Sequence, residues 1–157
     1  MQQDTTDKYV LQRFVLGQQP VYATALSELM AGRKRTHWIW FVFPQVEGLG
    51  HSAMSQRYAI KSKAEALAYL AHPLLGTQLM ECTRAVLSVA DRSAHEFFGS
   101  LDDVKCRSSM TLFDAVHAGS LFRQCLDRCF DGERDPATLA VLDQWGAAGG
   151  PPVSARS

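Results

Sequence analysis

No stretch of this chain approaches the roughly 20 consecutive apolar residues that a membrane-spanning helix needs. Charge of one sign is also missing: 16 Lys and Arg face 16 Asp and Glu, for a formal net charge of zero. Nothing therefore steers the whole molecule toward nucleic acid or an anionic membrane. The only basic cluster, Arg33-Lys34-Arg35, is too short for a nucleic-acid tract. The opening MQQDTTDKYV is acidic and polar and lacks the apolar centre of a secretory signal, so the cytoplasm is the expected compartment. Closely paired cysteines are absent too. Cys82 and Cys106 stand alone, and Cys125 and Cys129 are four apart among Leu121, Phe122, Leu126 and Phe130, which reads as buried free thiols. The five histidines show no H-x3-H spacing. No metal site is read, and no cofactor is expected.

What is present is an ordinary globular composition. The 157 residues are 46% hydrophobic and 20% charged, enough for one sizeable core and one domain. Helical signals run nearly throughout. Val10, Leu11, Phe14 and Val15 fall at helical spacing before Gly17 and Pro20 close that segment. Pro20 then opens a second helix that ends at Gly32. Ser62 to Glu65 and Ser93 to Glu96 each read as a capping box, and Pro73 suits the first turn of a helix reaching about Ala90. Ser100, Asp102 and Asp103 suit the start of a helix to Val116. Another helix follows Gly119, and Asp135-Pro136 signals the last, through Leu139 and Leu142 to Trp145. The expectation is a mainly α, single compact domain of about seven helices over residues 1–145. Residues 146–157, GAAGGPPVSARS, lack apolar periodicity and read as a disordered tail, and removing residues 147–157 is expected to leave stability unchanged.

Residues 36–60 break the pattern. Trp38 to Phe43 is a run of six apolar residues, four of them aromatic, which periodicity cannot divide between a short buried helix and a strand. Core is the ordinary reading of such a run. After Pro44 comes a polar, glycine-containing loop with Gln45, Gly48, Gly50, His51, Ser52 and Ser55, then Arg57 and Tyr58. A polar loop springing from an aromatic wall is a common build for a ligand cleft. Gly48-Leu49-Gly50 is a weak phosphate-loop signal, without the lysine that such loops carry. Arg57 and the loop amides offer places for an anion.

The segment LDDVKCRSSMTLFDAV, residues 101–116, puts polar groups on an apolar face. At 100° per residue Leu101, Val104, Leu112, Ala115 and Val116 share one stripe, and Lys105, Ser108 and Ser109 fall inside it. A buried amine is costly unless paired, so these three groups suggest the wall of a polar pocket. The plainer alternative has Lys105 snorkelling to the rim while the serines bond back within the helix.

Three blocks carry a family resemblance. GRKRTHWIWFVFPQ followed by GLGHS, then EALAYLAHPLLG, then DDVKCRSSMTLF, resemble in order the uncharacterised bacterial and fungal family called domain of unknown function 1810, across roughly residues 9–143. Some members carry the label calpastatin, although calpain inhibitors of that kind are long, disordered and repetitive. The resemblance implies a small, mostly helical domain and no particular activity. A fainter similarity, Asp102, Val104, Lys105 and Met110, points to the NADAR N-glycosidases, helical enzymes that act on ADP-ribosyl or riboflavin-precursor compounds. Here the lysine-to-methionine spacing is one residue longer, and the glutamate block of that family is absent.

Two functions fit these residues. One is a hydrolase-like enzyme for a nucleotide-like or N-glycosidic compound. Trp38 and Trp40 would stack a ring. Gln45, Ser52, Arg57 and Tyr58 would make polar or phosphate contacts, and Ser108 and Ser109 would close the far side. Asp102 and Lys105 would carry the chemistry, with His37 and His51 as spare acid–base groups. The other function is a binding or protein-interaction module that uses the same cleft without chemistry. An acid or base converging on the anion-binding groups separates the two. The expected partner is a small molecule with a phosphate among its candidate groups. Neither a nucleic acid nor a membrane is expected, and the sequence leaves the oligomeric state open.

Overall fold

A computed structural model describes residues 9–89, 93–99, 102–117 and 121–149. Among them are ten helices and no strand; one isolated parallel bridge joins Val46 to Ile60. The helices are α1 Gln12–Gln18, α2 Tyr22–Met30, α3 Ile39–Val42, α4 Ala53–Arg57, α5 Lys63–Ala71, α6 Leu75–Ser88, α7 Ala94–Phe98, α8 Asp102–Val116, α9 Leu121–Phe130 and α10 Pro136–Gly149. The mainly α, single-domain reading holds, with more helices than the seven expected.

Two helices that the sequence signals did not name, α3 and α4, lie inside residues 36–60, where the helical pattern breaks. The aromatic run makes a single helical turn. The loop after it conceals an N-cap: Ser52 accepts a hydrogen bond from the Ser55 amide and starts α4. The Ser93–Glu96 capping box is complete. At Ser62 only half of it forms, because the Glu65 carboxylate turns to the Lys61 amide and to Arg13. Helix α10 continues to Gly149, past the Gly146 boundary read from the sequence. The cap expected at Ser100 and the stripe residue Leu101 lie outside the described residues, as do residues 150–157 of the expected tail.

Helices α6 and α8 organise the packing: α6 lies against α2, α5 and α9, and α8 against α5, α7, α9 and α10. Neighbours on so many sides bury a wide arc of α8, from Cys106 through Ser108 to Asp114. This corrects the narrow stripe inferred from its apolar residues. Leu112 is buried, but Val104 and Ala115 are exposed. Cys82, Cys106 and Cys125 are buried free thiols and Cys129 is half-buried. Hydrogen bonding to Cys106 and burial push the Cys125 thiol up, so it stays protonated.

Candidate functional site

Trp38 and Trp40 stand two residues apart on one helical turn, about 200° apart in direction. They therefore do different work. Trp38 is fully buried, and its Nε1 donates to the Glu28 carboxylate at 2.8 Å. Glu28 also accepts from the Arg35 and Thr36 amides at 2.8 and 3.1 Å and from the Thr36 hydroxyl at 2.8 Å. One carboxylate of α2 thus fastens the whole approach to α3. Burial alone would raise its pKa, but the hydrogen bonds outweigh burial and bring it from 4.5 to about 2. A depressed carboxylate stabilises the fold above its unfolded pKa, and that stability is lost as pH falls from about 4.5 through 2. Glu28→Gln should cost about 2 kcal/mol at neutral pH, because it weakens charge-assisted bonds. Urea denaturation across that acid range should show the difference from wild type shrinking. A pH-independent difference would mean that the charge of Glu28 contributes nothing.

Fastening this segment places Lys34 inward. Its side chain is only 5% exposed, and its ammonium pairs with Asp102 Oδ2, donates to the Thr36 carbonyl at 2.6 Å and sits 5.0 Å from the Trp38 ring centre. Asp102 opens α8 and gives its other oxygen to Lys105 at 3.2 Å. Lys105 in turn lies 4.6 Å from the Trp40 ring centre. Two ammoniums share one carboxylate, which leaves one unit of positive charge in this group. Burial would raise the Asp102 pKa, but the Lys34 and Lys105 ammoniums lower it below the ordinary range, so it is ionised.

Lys105 borders a cleft of about 320 Å³. One side is Trp40 with Gln45, Leu49 and Gly50. Gly48, at φ +98°, turns the chain into that wall. The other side is Val104, Lys105 and Ser108 of α8, and the start of α10 at Asp135 and Ala137 closes the cleft. Most of this lining is apolar. Ser108 donates to the Val104 carbonyl at 3.0 Å, and Asp135 caps α10 through the Thr138 amide and hydroxyl. Both are therefore already occupied. Gln45 is not: it is 6% exposed, and its Nε2 is buried with no acceptor.

Four of the site residues read from sequence, Trp40, Gln45, Lys105 and Ser108, come together in this cleft, with Asp102 beside it. The others do not line it. His37 and His51 are exposed, and Ser52 is spent on capping α4. The Arg57 guanidinium lies over the Tyr58 ring at 5.6 Å, and Tyr58 packs against Phe14 and Phe41. Trp38 is core. Ser109, one residue past Ser108 and about 100° round the helix, is fully buried with its hydroxyl unpartnered. Sequence reasoning missed Lys34, Leu49, Val104 and Asp135. Leu49, in the polar loop, and Val104, on the stripe that holds Lys105, left partial signals, and Asp135 left one as a helix start.

Fold and cleft define a small helical protein with a largely apolar recess edged by Lys105. The chain belongs to the family described as protein of unknown function (DUF1810), whose model matches residues 8–142. It is similar in structure to the conserved hypothetical protein Rv1873 from Mycobacterium tuberculosis, with 51% identity and a TM-score of 0.83. That match covers 85% of this chain and 96% of the other. No curated protein matches. Among the described residues, no helix is long and apolar enough to cross a membrane.

Proposed function

We propose that the Trp40–Lys105 cleft binds a small organic molecule with an anionic group and a hydrogen-bond acceptor on a flat or apolar body. The observation that carries this reading is the buried Gln45 Nε2, a donor without an acceptor in the wall of an apolar cleft. Such a donor costs stability until something accepts from it. Lys105 supplies the charge beside it, and Leu49, Val104 and Trp40 supply the apolar contact.

Catalysis is the second reading, as a hydrolase of a nucleotide-like or N-glycosidic compound. Asp102 favours it, being an ionised carboxylate next to Lys105. Both its oxygens are already held by lysines, and His37 and His51 lie outside the cleft. Among the described residues, Asp102 and Asp135 are the carboxylates at the recess and both are already bonded, which favours binding without chemistry.

A thermal-shift panel of nucleoside monophosphates, NAD derivatives, flavin precursors and sugar phosphates tests it. A ligand at 100 times its Kd stabilises by about 2.7 kcal/mol. The shift should vanish in Lys105→Met and in Gln45→Leu. Lys105→Met should cost less than about 1 kcal/mol, because Asp102 keeps Lys34. Gln45→Leu should be neutral or stabilising, since it deletes an unsatisfied donor. Loss of about 3 kcal/mol in Lys105→Met would instead make that lysine a structural hub. A panel with no stabiliser would sink the binding reading, and release of a free base, lost in Asp102→Asn, would put hydrolysis in its place.

A further inference from the structure

A second recess of about 360 Å³ lies where α1, α2 and the start of α6 meet, and it has the opposite hydrogen-bonding character. Its polar lining is Gln18, Gln19, Gln78 and Tyr22, against Val15 and Leu74. Among the described residues, no lysine or arginine lines it. The Tyr22 hydroxyl donates to Glu81, which adds a carboxylate one bond behind the wall.

Gln18 decides what this recess can accept. The residue is 2% exposed, and Nε2 donates to the Phe41 carbonyl at 2.7 Å and to the Tyr69 hydroxyl at 3.1 Å. The Tyr69 hydroxyl donates to the same Phe41 carbonyl at 3.2 Å. A carbonyl only accepts, so the amide cannot turn over. Burial pushes the Tyr69 hydroxyl up, so it keeps that proton. Oε1 is thereby fixed on the side of the amide away from Phe41 and Tyr69, in a residue that borders the recess, and it is buried with no donor. A neutral acceptor held rigid beside an uncharged cleft asks for an N–H, not an anion.

We infer that this recess is a second ligand site, for a small amine or amide on a short apolar body, distinct from the cleft at Lys105. The N–H donates to Gln18 Oε1, the Glu81 carboxylate favours a cationic nitrogen, and Val15 and Leu74 take the alkyl part.

The test uses butylammonium, butyramide and butyrate as probes, read by the side-chain amide resonance of Gln18 in nitrogen-15 NMR spectra of the full chain. Butylammonium, butyramide or both should shift it saturably, and butyrate should not. Gln18 itself is a poor target, because its loss also frees the Phe41 carbonyl. Ala23 lines the recess from the exposed side of α2, so Ala23→Trp fills the recess without entering the core. Ala23→Trp should weaken binding by roughly tenfold or more. Lys105→Met should leave it unchanged, which separates this site from the first. Equal binding of butyrate, no saturable shift with either nitrogen donor, or binding that survives Ala23→Trp overturns the inference.

Discussion

Asp102→Ala should cost the protein about 3 kcal/mol, whereas Lys105→Met, at the other end of the same ion pair, should be nearly silent. The asymmetry follows from burial. Lys34 is 5% exposed and Lys105 28%. Removing Asp102 leaves the Lys34 ammonium in a nearly dry site with one carbonyl and the face of Trp38. Removing Lys105 leaves Asp102 still paired with Lys34. A Lys34→Met, Asp102→Ala cycle measures the coupling, and the double variant should lose well under the sum of the two singles. The pH dependence has a defined sign. Asp102 titrates below its unfolded value, so its contribution is present above about pH 4 and lost in more acid solution. Wild type should therefore lose more stability than Asp102→Ala on acidification. Additive single effects, or a cost for Asp102→Ala below about 1 kcal/mol, would show that water reaches Lys34 after all.

That pairing also separates the two lysines by their part in the fold. The folding role belongs to Lys34, which sits in a basic triplet that looked unremarkable as sequence. Lys105 is the more exposed of the two cations, and the proposed binding role of the cleft rests on it.

The helices were legible because their signals are local. Ser93 and Glu96 face each other across one turn, and Pro73 fixes one dihedral where α6 begins; neither needs knowledge of distant residues. The aromatic run and the loop after it were not. A four-residue helix such as α3 is too short for periodicity to register, and Ser52 looks the same in sequence whether it caps a helix or waits for a ligand. Part of the cleft was visible because Lys105 and Ser108 are anomalous on their own helix. Its remainder comes from chain-distant contacts: Lys34 reaches Asp102 because Glu28 pins residues 35–38, and Asp135 arrives with α10. Which of two neighbouring serines faces a cleft depends on helix phase, and α8 is packed on so many sides that its apolar stripe gave the phase poorly.

Gly76→Ala should be severely destabilising, although it adds a single methyl group. A Cβ there would stand 2.0 Å from the Leu70 carbonyl oxygen and 2.8 Å from its carbon. Those atoms belong to the backbone of α5, so no side chain can swing aside. Relief requires the end of α5 to back away from the start of α6, breaking the bond from the Gly76 amide to the His72 carbonyl. Helix α6 carries the buried residues Leu79, Cys82, Thr83 and Val86, and it touches α2, α5 and α9, so its displacement reaches much of the core. The expected loss is about 3 kcal/mol or more, in the range of severe overpacking. Gly146→Ala supplies the control. Nothing lies within 4 Å of its added Cβ, and it sits on an exposed position of α10. There the same methyl should stabilise by up to about 1 kcal/mol, because alanine is the better helix former. Urea midpoints for the two variants should thus move in opposite directions. If Gly76→Ala is as benign as Gly146→Ala, the α5–α6 corner has slack, and the close approach of α6 to Leu70 is not what sets the packing of these helices.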